Sequence, residues 1–191
     1  MARKAAYPIN DIFLKRWSPR AMSGEAITFE QLMTLFEAAH WAPSSYNGQP
    51  WRFIYAQRET PEWEKLFDVM VPFNQEWTKN AAALVVVISH NVFEYNGKPD
   101  RTHSFVAGSA WENLALQATF MGLVAHAMEG FDYDRVKKDL NIPDDYTVEA
   151  MVAIGKPGPL SVLSAEMQKN EVPSERKSVH EIVFKGMFKK T

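Results

Sequence analysis

Cysteine is absent from the chain, which excludes disulfide scaffolds, thiolate metal sites and cysteine nucleophiles together. No stretch approaches 18 consecutive apolar residues, so no transmembrane helix is predicted. The opening segment, Met1-Ala2-Arg3-Lys4-Ala5-Ala6-Tyr7-Pro8, lacks the apolar run of a signal peptide, and a soluble cytoplasmic protein is the expectation. An excess of one charge is missing too. The net charge of −2 leaves no electrostatic footprint for nucleic acid, and the basic cluster from Lys185 to Lys190 is small and terminal. No G-x-S-x-G elbow, Walker A loop or G-x-G-x-x-G turn occurs. The five histidines (His40, His90, His103, His126, His180) never flank a glutamate at i, i+4, so no zinc hydrolase is predicted. No metal site is expected from Asp100 and His103 either. With no strong catalyst among the side chains, a cofactor-dependent enzyme is the better reading.

What is present suits one globular domain. The 191 residues can bury roughly 70% of their unfolded surface, and 46% are hydrophobic and 13% aromatic. A short helix is expected over 10–16, with Ile9 and Phe13 on its apolar face and Pro19 beyond its end. Thr28 and Gln31 form a capping box, with Phe29, Leu32, Leu35, Phe36 and Ala39 recurring at helical spacing after Thr28. A strand is expected over 51–56. A helix should start at Pro61 and carry Trp63, Leu66, Phe67 and Met70. A short helical segment over 74–80 leads into Leu84-Val85-Val86-Val87-Ile88, a β-branched run that predicts a strand buried on both faces. The polar stretch 93–103, with Gly97 and Pro99, reads as a surface loop. The longest helix spans 104–121 with Gly122 as its C-terminal cap, and its small residues suit close packing. A strand over 123–128, a helix capped by Asp132, a strand over 147–154 and a last short helix from Ser178 complete the chain. Trp41, Trp51, Trp63 and Trp111 sit in apolar patterns and are expected in the core. Alternating strands and helices point to a layered α/β or α+β sandwich.

Two segments concentrate polar side chains at the ends of predicted elements. Arg16-Trp17-Ser18-Pro19-Arg20 sets two arginines around a serine just past a helix end, where cations are favoured in any case. Pro43-Ser44-Ser45-Tyr46-Asn47-Gly48-Gln49-Pro50 joins a helix to a strand with hydroxyls and amides in excess of what a turn needs. Such groups suit a flat polar heterocycle, or simply a capped helix followed by a turn.

The order Arg16-x-Ser18-x-Arg20, then Ala42-Pro43-Ser44-Ser45-x-Asn47-x-Gln49-Pro50-Trp51, then Glu129-Gly130-Phe131, then Pro173-x-x-Arg176 resembles the FMN-dependent nitroreductase family over essentially the whole chain. The resemblance implies an α+β fold, a three-layer α/β/α sandwich, in a homodimer with FMN at two interface sites. It implies ping-pong chemistry in which NADH or NADPH reduces the flavin and leaves before an electron-poor acceptor, such as a nitroaromatic or quinone, is reduced. Relatives that dehalogenate or consume their flavin, and a flavin carrier without turnover, are the alternatives.

Carried over to this sequence, the resemblance implies Arg16 on the FMN phosphate, with Trp17, Ser18 and Arg20 beside the cofactor. Arg176 and Lys177 would complete the phosphate site. Pro43, Ser44, Ser45, Asn47 and Gln49 would line the flavin from the partner subunit. Asn74 would bond the pyrimidine ring, and the backbone around Met128, Glu129 and Gly130 would face N5. Some members carry a lysine three residues after that asparagine. Here the position is Trp77, which leaves Arg20 to supply the charge. The tail over about 156–191 is expected to wrap the partner subunit.

Overall fold

In the computed structural model, which describes residues 3–189, the apolar run at 84–88 is the middle of a single sheet. Met1, Ala2 and Lys190 of the basic cluster lie outside the described residues. The strands are β1 (Trp51–Gln57), β2 (Ala83–His90), β3 (Val124–Met128) and β4 (Tyr146–Gly155). They lie in the order β1-β2-β4-β3, and every neighbouring pair is antiparallel. Every residue of β2 is buried, as its composition predicts. Its register with β4 shifts between Val87 and Ile88, where Glu149 is the extra residue.

Helices cover both faces. They are α1 (Ile12–Lys15), α2 (Phe29–His40), α3 (Trp63–Phe67), α4 (Pro72–Thr78), α5 (His103–Phe120), α6 (Tyr133–Asp139), α7 (Ala165–Lys169) and α8 (Val179–Ile182). The alternation of β2 side chains divides the core in two. Leu84, Val86 and Ile88 pack with Trp63 and Leu66 of α3, Trp77 of α4, Val136 of α6 and Met167 of α7. Val85 and Val87 pack with Leu32 and Leu35 of α2 and Val106, Ala110 and Leu114 of α5. The result is the expected α/β/α sandwich, with the sheet as its middle layer.

Local chemistry explains the helix ends. Thr28 accepts from the Gln31 N–H at 3.0 Å while Gln31 Oε1 accepts from the Thr28 N–H at 2.9 Å. Gly122 follows α5 with φ +69°, a conformation that favours glycine. Pro72 stands at the first position of α4, where a missing N–H costs nothing.

Three expectations from apolar patterning are corrected. Ile9 and Phe13 are half exposed, and Ile12 is the residue that α1 buries. Trp41 is 74% exposed rather than in the core, held by its indole N–H donating to Glu37 Oε1 at 3.0 Å. Trp111 is only partly buried. Trp51 and Trp63 are buried as expected.

Candidate functional site

The Arg16–Arg20 segment leaves α1 in extended conformation and is pinned from three sides. The Gly158 N–H donates to the Ala21 carbonyl at 2.8 Å and the Ser23 N–H to the Lys156 carbonyl at 3.0 Å, fixing it to the chain beyond β4. On β3, His126 Nδ1 lies 3.0 Å from the Pro19 carbonyl. A carbonyl only accepts, so Nδ1 carries the proton. Glu171 Oε1 accepts from the backbone N–H groups of Arg20 and Ala21 at 2.6 and 2.8 Å.

This anchoring brings distant cations together. Arg16, Arg20 and Arg176 line one cavity of about 300 Å³, with Arg3, Trp17, Ser18 and His126 in its wall. Arg16 makes a long 3.4 Å contact with the Ser18 hydroxyl and stands 3.7 Å from Glu112. Arg176 is exposed and bonds the Ser174 hydroxyl at 2.9 Å. Burial and the guanidinium groups of Arg176 and Arg16 push Arg3 below its ordinary value, opposed by Glu175. Burial is also the main cause that holds His126 below the usual imidazole range, with Arg20 acting in the same direction and the Pro19 carbonyl opposing.

Arg20 extends the site along the β3 edge of the sheet. It also lines an adjoining cavity with Phe73 and Glu76, its guanidinium carbon 5.8 Å from the Phe73 ring centre. Its Nε is buried without a partner. Next along α4, Asn74 is buried, its Nδ2 donating to the Gly130 carbonyl at 3.0 Å and its Oδ1 accepting from the Trp77 indole at 3.2 Å. Trp77 is 1% exposed and its ring lies 4.6 Å from that of His126. Trp77 is therefore a buried support joining Asn74 to the arginine segment. A Cβ on Gly130 would stand 2.6 Å from Asn74 Nδ2, so this glycine is needed for the close approach of Asn74. Met128, at the end of β3, is buried beneath the Glu129–Gly130 turn. Tyr133, just beyond, is raised above its ordinary value by burial and by Glu129 and Glu149.

The polar loop stands elsewhere. Asn47, Gly48 and Gln49 line a separate cavity with Arg52, Glu94 and Tyr95, beside β1 at the opposite edge of the sheet from β3. Tyr46, Asn47 and Gln49 all have positive φ, unusual for side-chain-bearing residues. Ser44 Oγ steadies the bend by accepting from the Gln49 N–H at 3.1 Å. Pro43, Ser44 and Ser45 precede or enter the single helical turn at Ser45–Asn47. The 93–103 loop packs on this segment, Phe93 against Tyr46 with ring centres 5.9 Å apart. Lys177 faces a different cavity, with Tyr7, Ile9 and Phe13.

One chain thus unites Arg16, Trp17, Ser18, Arg20 and Arg176 and joins them to Asn74, while the 43–49 group stands apart. Three residues of the site were missed in the sequence. Arg3, His126 and Glu171 act through contacts with residues distant in sequence, which leave no local pattern. Among the described residues, no group of three His, Asp or Glu could hold a metal ion, and no helix is long and apolar enough to cross a membrane.

The residues present fit a phosphorylated planar group. Four guanidinium groups, of Arg3, Arg16, Arg20 and Arg176, line one cavity without an equal number of carboxylates, and the Arg20 Nε is buried without an acceptor.

Comparison with known proteins agrees. The sequence model described as the Nitroreductase family matches residues 13–156. A Streptomyces coelicolor protein carrying the name NADH dehydrogenase/NAD(P)H nitroreductase is 29% identical over 168 residues, 78% of this chain and 84% of the relative. The iodotyrosine deiodinase of Thermotoga neapolitana is 26% identical, with 77% and 87% covered. A crystal structure described as that of an oxidoreductase containing FMN superposes with a TM-score of 0.94 at 44% identity, covering 99% of this chain and 97% of that one.

Proposed function

From the premise that this chain belongs to the nitroreductase family, we propose that it is an FMN-dependent oxidoreductase that uses NADH or NADPH to reduce an electron-poor acceptor such as a nitroaromatic or a quinone. When bound, FMN would supply the hydride and electron transfer between nicotinamide and acceptor, the two using one site in turn by a ping-pong mechanism. The observation that carries the reading is the convergence of Arg16, Arg20 and Arg176 on one cavity.

The chain's own residues bind and orient. Arg16 and Arg176 would hold the phosphate, with Lys177 as a further cation near the same tail, because guanidinium forks match phosphate oxygens bidentately. Ser18 steadies Arg16 and Trp17 walls the cavity. Arg20 would offer the positive charge near the flavin ring that Trp77 cannot supply. Asn74 and the Met128–Glu129–Gly130 turn, tied together by the Asn74 amide donating to the Gly130 carbonyl, would meet the flavin ring. His126, held neutral, positions Pro19 rather than moving a proton.

The 43–49 group completes the site only if it comes from a second copy, so the active form is a homodimer. The tail over 156–191 supports this reading, since Val172, Ile182, Val183, Met187 and Phe188 are exposed on it. A protein that sediments as a monomer and still binds FMN stoichiometrically would refute the shared site.

Steady-state oxidation of NADH and NADPH, with and without a nitroaromatic or quinone, tests the activity. Stimulation by the acceptor supports it, and no oxidation by flavin-loaded protein contradicts it. The relative named iodotyrosine deiodinase favours a second reading, reductive dehalogenation. Release of halide from a halogenated phenol, without turnover of nitroaromatics or quinones, would select it.

A further inference from the structure

Arg3 belongs to none of the four motifs and lies outside the matched residues 13–156, yet it reaches the wall of the arginine cavity. We infer that Arg3 is a positioning residue for the phosphate end of the site, a tie that holds the segment bearing Arg16 against the segment bearing Arg176. The inference rests on the FMN reading and deepens it.

The geometry is that of a bridge. Arg3 Nη1 donates to the Arg16 carbonyl at 2.7 Å and, more weakly, to the Leu14 carbonyl at 3.3 Å. These are carbonyls at the end of α1, where the helix offers them no intrahelical partner. Arg3 Nε donates to the Ser174 carbonyl at 3.1 Å. Ser174 is the residue whose hydroxyl and carbonyl Arg176 also bonds, at 2.9 and 3.4 Å. One side chain thus fastens residue 16 to residue 174 across almost the whole sequence.

Nothing local does that work. The stretch between α7 and α8 forms no helix or strand that would fix Arg176. Arg16 has left α1 at ψ 126° and is likewise outside regular structure. The tie also acts against charge. Arg3 stands close enough to Arg16 and Arg176 for both to disfavour its protonated form. Three like charges held this way repel one another until an anion enters, and a phosphate dianion turns the repulsion into attraction.

The bridge requires arginine. Nε and Nη1 point along different edges of a rigid fork and so reach two chain segments at once. A lysine ammonium is a single point on a flexible stem and cannot span them.

FMN and riboflavin separate this role from general stability, because they share the ring and the ribityl chain and differ only in the phosphate. Their dissociation constants would be measured by flavin fluorescence on the full-length protein, its own flavin removed by dialysis. The wild type should favour FMN. Arg3→Ala should weaken FMN by about 10-fold or more, the loss expected when one charge-assisted hydrogen bond is misplaced, and leave riboflavin within about 2-fold. Arg3→Lys should behave like Arg3→Ala, and Lys4→Ala like the wild type. An Arg3→Ala protein that keeps the wild-type ratio overturns the inference. So does one that loses both flavins equally, since the loss would then be general. A lysine variant that restores the ratio overturns the bridge and leaves only charge. A wild type that binds neither flavin instead overturns the cofactor reading itself, a different result from any variant effect.

Discussion

Replacing Glu171 with alanine should unfold the protein at markedly lower denaturant. Its carboxylate is 2% exposed, and Oε1 alone receives the N–H groups of Arg20 and Ala21. Removing it strands two backbone donors, each at a cost of about 1–3 kcal/mol when buried. Oε2 has no hydrogen bond and stands 3.9 Å from Arg20 Nη1, a long pair with a guanidinium that is 29% exposed. Solvent screening limits that pair to about 1 kcal/mol or less. The sum is about 2–7 kcal/mol, a large part of a typical total stability of about 5–15 kcal/mol. Glu171→Gln keeps an oxygen for the two N–H groups but turns an amide NH2 toward Arg20, and should cost about 1–2 kcal/mol. Urea unfolding with an unchanged slope should therefore rank wild type above Glu171→Gln above Glu171→Ala. An alanine variant within about 1 kcal/mol of wild type would mean that both N–H groups find other acceptors. The account of how the arginine segment is held would then be wrong.

Three further outcomes are expected. His126 is held below the ordinary imidazole value of about 6.5, so the unfolded chain takes up its proton first. Stability should be level above that pH and fall as pH drops from there toward the lowered folded value. In His126→Gln the decline over this window should be shallower, and an identical slope in both proteins would refute the assignment. Arg16→Ala and Arg176→Ala should each lower FMN affinity about 10- to 100-fold, one charge-assisted contact of about 1.5–3 kcal/mol. Titrations in which both variants match wild type would remove the phosphate from this cavity. Gly158→Ala would set a Cβ 2.6 Å from the Met22 backbone carbon, which cannot swing aside, and should cost about 3 kcal/mol. At Gly130 the same change meets side-chain atoms of Asn74 and Val71 rather than backbone and displaces the Asn74 amide from its bonds, so its melting temperature should fall less than that of Gly158→Ala.

Features governed by neighbours in sequence were legible before folding. The Thr28–Gln31 box, the cap at Gly122 and the all-buried β2 depend on spacing and residue type alone, and the structure bears each out. Faces were harder, because periodicity marks an apolar side without saying what covers it. Ile9, Phe13 and Trp41 read as core and stand in solvent in the single chain. The motif arginines were legible through the family resemblance and not on their own, since cations just past a helix end are favoured in any case. Their supports were not. Glu171 lies 150 residues from Ala21, and Arg3 lies 171 from Ser174, so no local window contains either pair. Trp77 was less certain by sequence than the other core tryptophans, because an indole can also wall a ligand. Its buried N–H bond to Asn74 decides for the core.

The cofactor and its turnover are read together in the visible spectrum of the purified protein under anaerobic titration. One bound FMN per chain is expected, bleaching on addition of NADH or NADPH and recovering its absorbance on addition of a nitroaromatic or quinone. A protein that takes up no FMN, or whose FMN absorbance is unchanged by either nicotinamide, would contradict the proposed function.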